Sequence, residues 1–287
     1  MSVYMSSALQ EQFPRVFHAI ADREEHEVIP STNLWIRDWM PVKIDNYFAK
    51  FLYKDNTGKY PWMLVPNDCC PHFNAKRYRY YLDGGNVVQN DSTVFITEQV
   101  FENNWRILAT DLKQFLKDIF RKKIIYIPVE PGDDLGHADG IIKFKDDKTV
   151  IINDYSMPTR PVPKLPTVEI KLRDAWMRYS DKLEHILDNN GFDVIKIPWA
   201  YGKCPKLTER EFRARYPLAD EKNEGYGYYI NYLQTNGKIY FPIFEIGEDR
   251  AALEFMYNHF PDHAIIPIEC SDLSMLGGLV NCVTWES

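Results

Sequence analysis

Four side chains in this 287-residue sequence have the types that covalent chemistry on a cationic carbon needs: Cys282, His137, Asp38 and Asp139. A cysteine thiolate attacks an electrophilic carbon, and an imidazole moves protons. Carboxylates hold a cation, and a pair of them suits a guanidinium, whose planar fork forms paired, charge-assisted hydrogen bonds. His137 and Asp139 stand two apart in the run Gly136-His137-Ala138-Asp139-Gly140. On a strand, which is the expectation here, both side chains would face the same way. Serine-hydrolase chemistry would need a Gly-x-Ser-x-Gly turn, which the chain lacks.

These residues are far apart in sequence, so the elements between them must bring them together. Asn86 and His137 are separated by 51 positions, and so are Asn231 and Cys282. Each opens the first strand of a recurring segment, and Asp38 opens an earlier one. The segment from 83 to 100 reads as a hairpin around Asn90-Asp91-Ser92. A helix over 104–120 follows, with Leu108, Leu112, Phe115, Leu116 and Ile119 on one face, and then a buried strand over 122–129.

The same order of hairpin, helix and strand returns over 136–155, 174–191 and 192–199. It returns again over 226–244, turning at Asn236-Gly237, then 248–260 and 263–269. A further copy opens at 277–287, where the sequence stops, and another hairpin lies upstream at 36–56. The first residues supply a helix, roughly 8–22, and a strand near 25–31, which the last copy lacks. The pattern therefore predicts an α/β fold in which five β-β-α-β modules surround a pseudo-fivefold axis. The N- and C-terminal segments close the ring, and residues 1–287 form a single domain. An open α/β sheet is the alternative. In the ring, the strand openings converge on the axis and gather Asp38, His137, Asp139, Asn231 and Cys282. The longer joints, 57–82 and 200–225, read as surface insertions bordering a site.

Composition narrows the function classes. With 41 Asp and Glu against 34 Lys and Arg, the net charge of −7 argues against a nucleic-acid partner, because phosphate binding needs a basic face. No run of 18 apolar residues is present, so no membrane-spanning helix is expected, and the first twenty residues do not read as a signal peptide. Five cysteines without a CxxC pair suggest neither a disulfide framework nor zinc, and a reduced, cytoplasmic setting is expected.

Taken in order, WIRDWMPV, LDGGN, GHADG, YINYLQTNGKIYFPIF and GGLVNCVT resemble the agmatine deiminase and bacterial (Porphyromonas-type) peptidylarginine deiminase family. That family is a branch of the guanidino-group-modifying enzymes with the five-bladed α-β propeller, or pentein, fold. The likeness runs from about Trp35 to the C-terminus. It implies that Cys282 is the nucleophile, His137 the general acid and base, and Asp38 and Asp139 the carboxylates that hold the guanidinium. Asp83 and Asn86 match an acidic Gly-Gly-Asn segment that shapes the pocket, and Asn231 matches a motif asparagine near the substrate.

The implied reaction hydrolyses a guanidinium C–N bond of agmatine or a related arginine derivative through a cysteine thiouronium intermediate. It needs no metal or organic cofactor, and its setting would be putrescine and polyamine metabolism. Peptidyl-arginine, free arginine and methylated arginine are alternative substrates. An amidinotransferase and a non-catalytic pentein binding protein are alternatives of other classes. The closing motif departs from the family's usual Gly-Gly-(Gly/Asn)-x-His-Cys, with Leu279 and Asn281 at the two changed places.

Each candidate also has a plainer reading. Asp83 could only shape a turn, and Asn231 could only satisfy a strand end. Trp35 and Trp39 beside Asp38 could wall the pocket, since a cation is attracted to an aromatic face, or simply fill the core. Arg37 reads as a structural pairing, Lys76, Arg77 and Arg79 as a solvated face, Asp133 and Asp134 as a loop, and Cys69-Cys70 as a loop pair. The expected partner is a small guanidine, and the outer helices would be free for homo-oligomer formation.

Overall fold

The computed structural model describes residues 1–53, 73–133, 135–156, 167–200 and 225–287, with Arg210 and Ala214. Cys69, Cys70, His72, Asp134 and most of both long joints therefore lie outside the described residues.

In chain order, β1 (Val3–Ser6) is followed by α1 (Ser7–Gln12), α2 (Pro14–Ala21) and β2 (His26–Ile29). Next come α3 (Ile36–Trp39), β3 (Val42–Ile44), β4 (Tyr47–Leu52) and β5 (Ala75–Tyr81). The following module holds β6 (Val88–Gln89), β7 (Thr93–Thr97), α4 (Gln99–Asn103), α5 (Ala109–Phe120) and β8 (Lys123–Ile127). Then β9 (Ile142–Phe144) and β10 (Thr149–Asn153) lead through α6 (Thr167–Asn189) to β11 (Asp193–Ile197). The last full module has β12 (Leu233–Thr235), β13 (Lys238–Ile243), α7 (Glu248–His259) and β14 (Ala264–Glu269). The chain ends with α8 (Ser271–Ser274) and β15 (Trp285–Glu286).

The described strands form five three-stranded sheets on one plan. In each, the central strand pairs antiparallel with one neighbour and parallel with the other. A parallel pair cannot be joined by a hairpin and needs a crossover, and helices follow the central strands β1, β7, β10 and β13. The hairpins are set by local chemistry. Asn236 and Gly237 both take positive φ, 48° and 73°, as a tight two-residue hairpin turn requires. The side chain of Asn90 accepts from the backbone N–H groups of Ser92 and Thr93 at 3.0 and 2.8 Å, and Asp146 does the same for Lys148 and Thr149 at 2.9 and 2.7 Å.

One sheet is assembled from both ends of the chain, in the order β15-β1-β2. Tyr4 stands opposite Trp285, and their rings meet edge to face with centroids 5.2 Å apart. The largest apolar cluster ties this sheet to the last full module: Val3, Leu9 and Phe17 pack with Tyr229, Phe241, Met256 and Val280. Side chains of this size stabilise by about 1.5–3 kcal/mol each when fully buried.

Local departures from the sequence reading have local causes. The N-terminal helix is broken into α1 and α2 at Pro14, which has no backbone N–H to continue the ladder. Leu108, expected on the buried face of its helix, is 71% exposed because it lies just before the first turn of α5, whereas Leu112, Leu116 and Ile119 are buried. Among the described residues, no helix is long and apolar enough to cross a membrane.

Candidate active site

The polar residues at the openings of the modules lie in turns rather than on strands. Asp38 is in α3, ahead of β3. Asp83 immediately precedes the 3₁₀ turn Gly84–Asn86 ahead of β6, and His137 immediately precedes the 3₁₀ turn Ala138–Gly140, which contains Asp139, ahead of β9. An extended chain would carry Asp139 roughly 6–7 Å beyond His137. The tight turn instead keeps both at one end of the sheet, so the expected strand at this position is corrected to a turn.

His137 is braced on both ring nitrogens: Nε2 lies 3.2 Å from Asp83 Oδ2, and Nδ1 lies 3.6 Å from Asp38 Oδ1. The backbone N–H of Gly85 donates to the same Asp38 oxygen at 3.0 Å. A Cβ on Gly85 would stand 2.6 Å from Asp38 Oδ1 and 2.8 Å from His137 Nδ1, so only glycine lets these side chains meet. Cys282 Sγ is 3.4 Å from Asn231 Oδ1 and 3.9 Å from Asp139 Oδ2. Asn231 also points its amide at the backbone carbonyl of Asp139, at 3.5 Å.

The electrostatics follow from burial and crowded charge. Burial works against a charged His137, but Asp38, Asp83 and Asp139 outweigh it and raise the imidazole to about 10. Burial, opposed by His137 and aided by Asp83 and Asp139, lifts Asp38 to about 7. Burial first, then Asp139 and Asp38, push the Cys282 thiol well above its ordinary range. These directions favour a charged imidazole and a neutral thiol in the cluster before substrate arrives. Among the described residues, no group of His, Cys, Asp or Glu has a metal-holding arrangement.

The family model for Porphyromonas-type peptidyl-arginine deiminase matches residues 3–287. The chain belongs to that family. An agmatine deiminase of Ectopseudomonas mendocina is 24% identical over 292 residues, covering 90% of this chain and 75% of the relative. Among solved structures, the agmatine deiminase of Enterococcus faecalis superposes with a TM-score of 0.72 at 19% identity, covering 99% of this chain and 92% of the other. A substrate-bound cysteine-to-serine variant of C. jejuni agmatine deiminase gives a TM-score of 0.69 at 16% identity, with the same coverage.

Not every residue read from the sequence joins the cluster of this deiminase-family chain. Asn86 was expected to touch substrate, but its side-chain oxygen accepts the backbone N–H of Thr97 at 2.8 Å, and the Thr97 hydroxyl donates to the Gly136 carbonyl. It therefore braces the turn that carries His137. Trp39 is fully buried among Tyr4, Ile29, Ile36, Met40 and Trp285, so its ring faces are used by the core and not offered to a cation. Trp35 is half-buried against the loop that leads to Cys282, and a Cβ on Gly278 would run into its ring at 2.3 Å. Arg37 is structural, with Nε donating to the Asn281 carbonyl at 3.2 Å and Nη2 3.4 Å from Glu286.

Two further residues belong to the site: Asn281, which the sequence showed only as a departure in the closing motif, and Lys143, which the sequence reading left aside. Asn281 donates to Asp139 Oδ2 at 2.6 Å, and Lys143 Nζ donates to Asn281 Oδ1 at 3.1 Å. The signal for Lys143 was a cation between Ile142 and Phe144 on the first strand after His137.

Proposed function

We propose that this chain is a deiminase of a small guanidine, with agmatine as the first substrate to test. The observation that carries the reading is one cluster in which Cys282 lies beside Asp139 and Asn231 while His137 is braced by Asp38 and Asp83. Family membership and the agmatine deiminases among its relatives support it.

The reaction runs in two halves. The substrate guanidinium sits between Asp38 and Asp139, and its positive charge offsets the carboxylates that keep the thiol protonated. Cys282 loses its proton to solvent, and the thiolate attacks the guanidinium carbon. His137 gives its proton to the departing ammonia, leaving an S-alkylthiouronium on the sulfur. Neutral His137 then takes a proton from water, whose oxygen attacks the same carbon. The thiolate departs, and the product is a carbamoyl compound. The net change is addition of one water and release of one ammonium.

We read the five sheets as blades of one ring, a single domain spanning 1–287 and closed by β15 and β1. The support is a cavity of about 260 Å³ whose wall takes residues from the first strand of every sheet: Lys43, Gln89, Lys143, Gln234 and Glu286. A closed ring accounts for five first strands sharing one cavity.

The test is ammonia release by the purified protein from agmatine, free arginine, methylated arginines and arginine peptides, with Cys282→Ser alongside. Release from agmatine, reduced at least about 10³-fold in the serine variant, is the expected result. Release only from arginine peptides would move the substrate to peptidyl-arginine. Release unaffected by Cys282→Ser would remove the nucleophile from the mechanism.

A further inference from the structure

Lys143 lies where the cavity shared by the first strands meets the reaction centre. Its ammonium donates to Asn281 Oδ1 at 3.1 Å, and the other end of that amide donates to Asp139 Oδ2 at 2.6 Å. The same carboxylate oxygen lies 3.9 Å from Cys282 Sγ. An ammonium can only donate and an ionised carboxylate can only accept, so between them the amide has one orientation. Donation into its oxygen also polarises the amide and strengthens the N–H that it gives to Asp139.

The neighbouring charges leave this task to Lys143. Arg37, from α3, is paired with Glu286 of β15 at 3.4 Å. Lys43 of β3 lines the same cavity but is exposed. Asp139, Arg37, Glu286 and Cys282 are the charged or titratable groups that act on Lys143, and the ring of Tyr232 from the turn before β12 covers it at 5.0 Å. Three carboxylates, Asp38, Asp83 and Asp139, crowd the thiol and the imidazole. His137 answers two of them directly, and Lys143 answers the third through Asn281.

We propose that Lys143 is a positioning residue that, through Asn281, holds the Asp139 carboxylate toward the substrate and offsets its charge, so that Asp139 opposes the Cys282 thiolate less than it otherwise would. The assignment to substrate rests on the deiminase reading above, but the effect on Cys282 does not. Burial lowers the Lys143 ammonium to about 8, with Asp139 acting against that fall. The support it gives is therefore present below that pH and is lost as pH rises through it.

The experiment measures alkylation of Cys282 by iodoacetamide across pH, read by mass spectrometry of the Cys282 peptide, together with kcat/KM for agmatine. Lys143→Met should slow alkylation at pH 7 by about ten-fold, equivalent to about one unit in the thiol. Lys143→Arg should stay within about three-fold of wild type. The advantage of wild type over Lys143→Met should fade above pH 8, whereas the advantage of Lys143→Arg should persist. In kcat/KM, Lys143→Met combined with Asn281→Leu should be no worse than the poorer single variant, because the two residues act in series.

Alkylation independent of residue 143, or strictly additive losses in the double variant, would overturn the proposal. If Lys143→Met fails to fold, Lys143→Arg and Asn281→Leu carry the same comparison. Absence of ammonia release in wild type, with alkylation still dependent on Lys143, would overturn the deiminase reading and leave the positioning role supported.

Discussion

The turns Gly84–Asn86 and Ala138–Gly140 sit at the same place in successive modules, both are 3₁₀, and both lead into the first strand of a sheet. They are used differently. The first is packed on every side: a Cβ on Gly84 would stand 2.0 Å from the Arg37 carbonyl oxygen, and one on Gly85 would strike Asp38 and His137. The second carries His137 and Asp139 into the cluster, and its Gly140 has open space where a Cβ would be. One turn is the floor against which the site is assembled, and the other holds reactive groups over it. Repeated architecture thus fixes where a polar residue will lie, while the packing around each copy decides whether that residue supports or reacts.

The sharpest break of this contrast is a pair of alanines. Gly85→Ala should cut kcat/KM by about 10²-fold or more, because Asp38 and His137 must move apart and a displacement near 1 Å costs about that much. Gly140→Ala should leave kcat/KM within about two-fold, since its Cβ meets nothing. Equal effects at the two glycines would erase the distinction between floor and reactive turn.

A second prediction concerns pH and stability. Asp38 is raised in the fold to about 7, so between the ordinary carboxylate range and 7 the native state holds a proton that the unfolded chain has lost. Stability from this group therefore falls as pH rises from about 4 to 7. His137 is raised to about 10, so its contribution is complete below about 6.5 and is lost as pH rises through 10. Urea unfolding from pH 4 to 10 should show declining stability across both windows, on the order of a few kcal/mol. Asp38→Asn should make the lower window shallower and also shrink the upper one, because Asp38 is the largest of the charges that raise His137. A wild-type curve that rises from pH 4 to 7 would contradict the assignment.

The smallest effect is expected at Asn86. Asn86→Ala leaves the buried N–H of Thr97 without its acceptor and should lower stability by about 1–3 kcal/mol in urea unfolding. The KM for agmatine should stay within about two-fold if Asn86 is a brace. A large rise in KM with unchanged stability would return Asn86 to the substrate pocket.

Much of this was legible in the sequence, and for physical reasons. Hairpins depend on two or three residues, so Asn236-Gly237 and Asn90-Asp91-Ser92 announced theirs. Helix–strand alternation has a period that can be read without the fold, and the recurring order gave the modules and the positions of Asp38, His137, Asn231 and Cys282. The turns were misread as strands because a 3₁₀ segment of three residues leaves no period to detect.

What the chain by itself determined was the repeat and the reactive residue types, because both are written in local patterns. What only the tertiary structure decided was which side chains meet. Trp39 faces the core and Asn86 holds Thr97. Lys143 reaches Asn281, 138 positions away, because β9 and the segment before β15 come to the same cavity. In the sequence, Ile142-Lys143-Phe144-Lys145 is ordinary strand alternation, with its lysines destined for water. Residues from five strands line one cavity, Lys143 among them, and there burial makes its charge depend on a partner that no local pattern could name.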